Sequence, residues 1–299
     1  MKKETIKNIA ISIFRVLKNN FLYIIWFILC FLMSVQILQT LIKARFPILI
    51  SYNENISLTL AVYMYILSII ITLSPLGEYI LRFINGVRKI ETEREKEYLI
   101  PLFKDVYNEA KKLYPQLSKK IELCIMDAMY INAFALGRKT VAVTTGAISS
   151  LSEDELKGFI AHEIGHILNG DTKAILFVTI GNGMFSLITI ILRKIIYLID
   201  TEVNIKSFTW WVLKTLINIC LIYFAYLMQI TLSINSRKNE FRADKFAYEI
   251  GYGNNLKDSL YLLQRMCISD KSSLVDKLRK SHPNIAKRIG KLEKMINEK

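Results

Sequence analysis

Five consecutive residues, His162-Glu163-Ile164-Gly165-His166, carry the strongest chemical signal in the chain. On a helix, residues four apart share a face, so both imidazoles can reach one cation while Glu163, one step round, reaches a water beside it. Neutral imidazole is a good zinc ligand, and a catalytic zinc keeps a position open for water. Two protein ligands leave such a site incomplete. Downstream, Ser236-Arg237-Lys238-Asn239-Glu240-Phe241-Arg242-Ala243-Asp244 sets two carboxylates, Glu240 and Asp244, four apart on one helix face. A carboxylate is a suitable third ligand. An acid is also needed to accept the other N–H of a metal-bound histidine, and Asp244 is suited to do so for His162 or His166. The ExxxD spacing alone is common on solvated faces and gains its weight from the first motif. Only one histidine remains of the three in the chain: His282, before Pro283, where a helix-entry cap is the plain alternative to a catalytic role.

The elements that must position these groups can be read from periodicity and caps. Ser152 with Glu155 forms a capping box, the acidic first turn suits the helix dipole, and Gly170 is a C-cap, which predicts a helix to about Asn169. Upstream, Leu99, Leu102, Phe103, Val106, Tyr107, Ala110 and Leu113 predict an amphipathic helix over 90–114, with Pro101 marking a kink or a fresh start. After Pro115 the period becomes two. Ile121, Leu123 and Ile125 predict one strand, and Asn132–Leu136 and Thr140–Thr144 predict a hairpin across Gly137-Arg138-Lys139. The C-terminal part reads as helices: one running through Arg237 to about Ile250, one over Leu256–Met266, and one from Pro283 that packs Ile285, Ile289, Leu292 and Ile296.

The rest of the chain is membrane-like. It has 299 residues, 52% hydrophobic and 22% charged, with a formal charge of +14, which excludes disorder, collagen and a small disulfide scaffold. Mean hydropathy is +0.30. Phe21–Leu41 and Ile56–Leu76 carry no charge; Ala174–Leu192 and Phe208–Ile230 follow the polar middle, the last with Trp210 and Trp211 as an interfacial belt and Lys214 able to snorkel. Each run can span a hydrocarbon core of about 30 Å as a helix. Lysine and arginine cluster in the first 20 residues and again from Arg82 to Lys96, and are sparser around Lys43, Arg45, Arg193, Lys194 and Lys206. That bias predicts a multi-pass protein of the cell membrane with both termini and the polar middle in the cytoplasm. The basic residues flank spans and cover amphipathic helices, so nucleic acid is not an expected partner. The first run is longer than a signal h-region and lacks a small-x-small cleavage site, which predicts a retained anchor. Cys30, Cys124, Cys220 and Cys267 show no CxxC spacing and read as reduced, packed thiols. The expected organisation is therefore a tail and membrane hairpin at 1–81, a polar segment at 82–173, a second hairpin at 174–231, and a helical segment at 232–299. The two polar segments would form one domain.

These motifs, taken together, resemble the HtpX-type membrane zinc metalloproteases, relatives of the CAAX prenyl proteases. The resemblance rests on two apolar runs, the HExxH helix, two more runs, Ser236-Arg237 with Glu240 and Asp244, and the late Ser281-His282-Pro283. It includes Asn132-Ala133-Phe134-Ala135-Leu136-Gly137, similar to the family's substrate-binding strand. It implies a mainly α polytopic fold: four transmembrane helices with a cytoplasmic, gluzincin-like α+β protease domain and a small sheet. It implies one zinc per subunit on His162, His166 and Glu240, Glu163 as general base, and Asp244 behind a histidine. By the same resemblance His282 and Arg288 face the active site and steady the oxyanion, and Asn132 supports substrate. The implied activity is hydrolysis of unfolded or damaged membrane proteins, with the lipid bilayer as the other partner. A prenyl-type processing protease, an inactive zinc-binding scaffold and a transporter are the rival readings. Room for only four spans weighs against the first, and the lack of an internal repeat or an acidic residue in the spans weighs against the last.

Overall fold

A computed structural model describes residues 21–45, 55–118, 120–202, 208–269 and 285–298. Residues 1–20, 46–54, 203–207 and 270–284, the last carrying His282 and Pro283, lie outside the described residues. The chain divides into two compact units: the part up to Gly77 with Phe177–Asn235, and Glu78–Leu176 with Ser236 onward.

The first unit holds α1 (Phe21–Arg45), α2 (Ile56–Leu73), a π-helical turn (Phe177–Gly181), α8 (Gly183–Glu202) and the leading part of α9 (Phe208–Glu249). Three stretches, Ile24–Lys43, Ile56–Leu73 and Asp171–Leu198, are helices long and apolar enough to cross a membrane. The fourth expected span, 208–230, is helical throughout; its apolar stretch among described side chains, Trp211–Phe224, is shorter than a span. Burial in α2 is inverted relative to a water-soluble helix. Its inward residues are Ser57, Ala61, Tyr65, Ser68 and Thr72, whereas Tyr63, Ile66, Leu67 and Ile70 face outward. Small and polar residues at helix contacts, with large apolar ones outside, are what a lipid solvent selects. The polar groups are satisfied between helices: Ser34 Oγ lies 3.2 Å from the Tyr65 hydroxyl, and Ser68 Oγ donates to the Gly181 carbonyl, at the π-helical turn, at 2.7 Å. The expected span 56–76 ends early, at Leu73. Ser74 is extended, as a residue before proline prefers, and Pro75 opens a new helix at a position where its missing N–H is not needed.

The second unit begins in that helix, α3 (Pro75–Ile84), and continues with β1 (Val87–Lys89), α4 (Glu93–Leu113), β2 (Glu122–Met126), β3 (Ala133–Leu136), β4 (Thr140–Thr144), α5 (Thr145–Ser150), α6 (Glu153–Asn169) and α7 (Asp171–Leu176). The end of α9, α10 (Gly253–Ser269) and α11 (Ile285–Asn297) complete it. The sheet order is β1-β2-β4-β3, with β2 and β4 parallel and the other pairs antiparallel. Among the described residues, β3 therefore has a strand on one side only. α4 runs through Pro101 without a break, and its entry is a capping box between Thr92 and Glu95. The core joins Leu99, Leu102 and Val106 of α4 to Ile125, Val141 and Val143 of the sheet, Leu156, Ile160 and Ile164 of α6, and Leu256 and Leu260 of α10.

Candidate functional site

The helix that carries the two-histidine motif is fixed at both ends. Ser152 and Glu155 close the capping box at the start of α6, and Gly170, at φ 80°, takes the left-handed conformation that lets the chain leave. Two glycines two turns apart on α6 let neighbouring backbones approach. A Cβ on Gly158 would lie 2.4 Å from the Leu256 nitrogen, and one on Gly165 would lie 3.1 Å from the Ala243 Cα. The first contact seats α10 and the second seats α9, which brings Glu240 and Asp244 over the histidines.

His162, Glu163, Glu240, Asp244 and Arg288 are all buried. The ligand atoms of His162, His166 and Glu240 lie within 4.8 Å of one another. The two Nε2 atoms are 3.1 Å apart, and Glu240 approaches them with Oε2 at 3.4 Å from His162 and Oε1 at 3.5 Å from His166. Behind each ring stands a carboxylate: Asp244 Oδ1 is 2.9 Å from His162 Nδ1, and Asp171 Oδ2 is 3.0 Å from His166 Nδ1. Each Nδ1 faces its aspartate; with the proton on Nδ1, each Nε2 turns its lone pair toward the other ring and toward the Glu240 oxygens. The Arg288 guanidinium lies beside this cluster, 3.3 Å from His162 Nε2 and 2.7 Å from Glu240 Oε2. The donor set of two imidazoles and one carboxylate fits zinc.

The electrostatics agree. Burial, and Arg288 beside it, oppose a charge on His162, yet Asp244 and Glu240 outweigh them and its pKa rises. Burial likewise opposes a charge on His166, and Asp171 and Glu240 push its pKa well above the ordinary value. Burial would raise Asp244, but Arg288 and His162 hold it down at about 2. The cluster is thus a buried field that favours positive charge.

Arg288 does not present a free guanidinium to substrate. It donates from Nε and a terminal nitrogen to the two oxygens of Asp244, at 2.9 and 2.7 Å, and reaches Glu240 Oε2 at 2.7 Å. These contacts tie it to the two carboxylates of α9, and it also lines the recess beside His162 and Glu163. Asn132 lines a narrow recess beside His162 and Glu163, with Phe159, Leu256, Leu260 and Leu263 forming its apolar wall. His282 lies outside the described residues. Sequence reasoning passed over Asp171. It is five residues beyond His166, past the Gly170 cap, and Arg242 holds it from the other side at 3.1 Å. Its only sequence signal is an acidic residue opening the helix after the cap.

Comparison with known proteins agrees with this geometry. The sequence profile of Peptidase family M48 matches residues 93–296. Protease HtpX of Wigglesworthia glossinidia brevipalpis is 32% identical over 200 residues, covering 60% of this chain and 67% of that protein. A protease HtpX homolog of Nitrosomonas europaea is 30% identical over 194 residues, covering 58% of this chain and 64% of the other. The chain thus spans about two thirds of the length of these relatives. Among solved structures, S. mikatae Ste24p matches at 20% identity and a TM-score of 0.45, covering 86% of this chain and 61% of the other.

Proposed function

We propose, since the chain belongs to peptidase family M48, that it is a zinc-dependent endopeptidase of the cell membrane that cleaves misfolded or damaged membrane proteins on the cytoplasmic side. The observation that carries this reading is the convergence of His162, His166 and Glu240 within 4.8 Å, with an aspartate behind each ring. When bound there, zinc supplies Lewis acidity toward a carbonyl and lowers the pKa of water toward about 7.

The chain's own residues do the rest. Glu163, buried one step round from His162, takes the proton of the attacking water and delivers it to the departing amine. Asp244 and Asp171 keep both rings in the tautomer that presents Nε2. Arg288 holds Glu240 and Asp244 in place. His282 is assigned to the oxyanion, on the motif alone.

Substrate would add as a strand to the outer edge of β3, through main-chain hydrogen bonds that read little sequence. Such binding suits unfolded chains. The recess walled by Phe159 and Leu260 would receive an apolar side chain next to the scissile bond. The cytoplasmic placement follows from the distribution of lysine and arginine. The test is cleavage of an unfolded membrane-protein substrate by purified wild type and Glu163→Gln, with metal content measured on both. The variant should keep its metal and lose about 10²–10⁴-fold in rate, the usual weight of a positioned acid–base group. A variant that cleaves at the wild-type rate would remove Glu163 from the mechanism.

A further inference from the structure

α3 is built the wrong way round for a helix in water. Its polar face is turned into the protein. Glu78, 2% exposed, accepts from the Thr140 hydroxyl at 2.7 Å and from the Lys139 N–H at 3.2 Å. Arg82 donates from Nε to Thr140 Oγ1 at 2.7 Å and from a terminal nitrogen to Glu122 at 2.9 Å. The opposite face is apolar and open: Leu76 is 50% exposed, Tyr79 65%, Phe83 76% and Ile84 64%. On a helical projection Leu76, Tyr79, Ile80 and Phe83 form one stripe, with Ile84 at its margin. A water-soluble domain would bury that stripe and expose Glu78 and Arg82; contiguous exposed apolar surface marks a contact with something other than water.

Chain continuity says what that something is. α3 starts at Pro75, with only Ser74 between it and Leu73, the last residue of α2, a helix long and apolar enough to cross a membrane. Its first residues therefore emerge at a bilayer surface. Ten residues are too few to span a membrane and enough to lie along one. A Tyr and a Phe among aliphatic residues suit the headgroup level, where one end of a ring is wet and the rest apolar.

We infer that α3 is an interfacial helix whose Tyr79–Phe83 face is embedded in the lipid interface. Through Glu78, Thr140 and Arg82 it fastens the β3–β4 hairpin to the membrane surface. The inference does not depend on the chain being a peptidase.

Brominated lipids test it. In the whole 299-residue chain reconstituted into phosphatidylcholine vesicles, Tyr79→Trp and Phe83→Trp each add emission to that of its three native tryptophans. Met129→Trp, at a position 86% exposed between β2 and β3, is the reference. The emission added at 79 and 83 should lose most of its intensity when the lipid carries bromine in the upper acyl chain, less when bromine is at the chain end, and little to aqueous acrylamide. The emission added at 129 should show the reverse. Quenching at 79 and 83 by acrylamide and not by bromolipid means a face open to water, and overturns the inference. Protection from both quenchers means a face covered by protein, a second copy or a partner, and overturns it equally.

Discussion

Two imidazoles with Nε2 atoms 3.1 Å apart, each with its Nδ1 on an aspartate, form an arrangement that neutral side chains alone do not favour. In a metal site the residues that hold the rings matter as much as those that touch the metal. Asp171→Ala should weaken zinc binding about 10–100-fold, measured by competition with a chromogenic chelator, while leaving the fold intact. Unchanged affinity would reduce the His166–Asp171 contact to a local hydrogen bond. The two i, i+4 pairs are legible in the sequence because helical spacing converts directly into a shared face. Asp171 is not, because its link to His166 crosses a helix cap, where periodicity carries no information. Nor is the pairing of Arg288, which depends on how two helices far apart in sequence meet.

The helices that make up the site meet through absences of side chain. Gly158 admits the backbone of α10 and Gly165 admits α9. Gly158→Val would force branched atoms into a space where even a Cβ lies 2.4 Å from backbone. Overpacking of this kind costs about 1–3 kcal/mol or more, and thermal unfolding in detergent should fall accordingly. An unchanged midpoint would mean that α10 shifts freely. A second test concerns the entry of α4, where Arg88 grips Glu95 at 2.7 Å and its hydrogen bond holds that carboxyl down at about 2. An unfolded glutamate titrates near about 4.3, so this stabilisation is complete above that value and is lost as pH falls through about 2. Arg88→Ala should therefore lower stability near neutrality and flatten its decline between those two values in an acid-unfolding series. Apolar periodicity, the Ser152–Glu155 capping box and the β3–β4 turn are legible in the sequence; α3 is not, because hydrophobicity runs on through Leu76 while the helix stops at Ser74-Pro75. The two glycine contacts also escape a reading by periodicity, since a missing side chain leaves no pattern.

In the molecule as a whole, opposite solvents govern opposite surfaces. In α2 large apolar residues such as Ile66, Leu67 and Ile70 face out, and Ser57, Tyr65, Ser68 and Thr72 face in; in the second unit Leu99, Ile125, Leu156 and Leu260 are enclosed. The sequence divides in the same places because composition follows solvent, although the number of crossings depends on Phe208–Ile230, whose apolar stretch among described side chains is short. Placing α3 at the boundary between the two solvents, as inferred above, accounts for its exposed Tyr79 and Phe83. The central claim, that a single zinc on His162, His166 and Glu240 drives peptide hydrolysis, is most directly tested by stripping the purified protein with a chelator and titrating zinc back while following cleavage of an unfolded substrate. Activity should vanish on stripping, return in proportion to zinc and saturate at one equivalent per chain, and Glu240→Ala should recover none of it at that equivalence. Cleavage that persists after the metal is gone, or that returns in full with Glu240→Ala, would contradict the account.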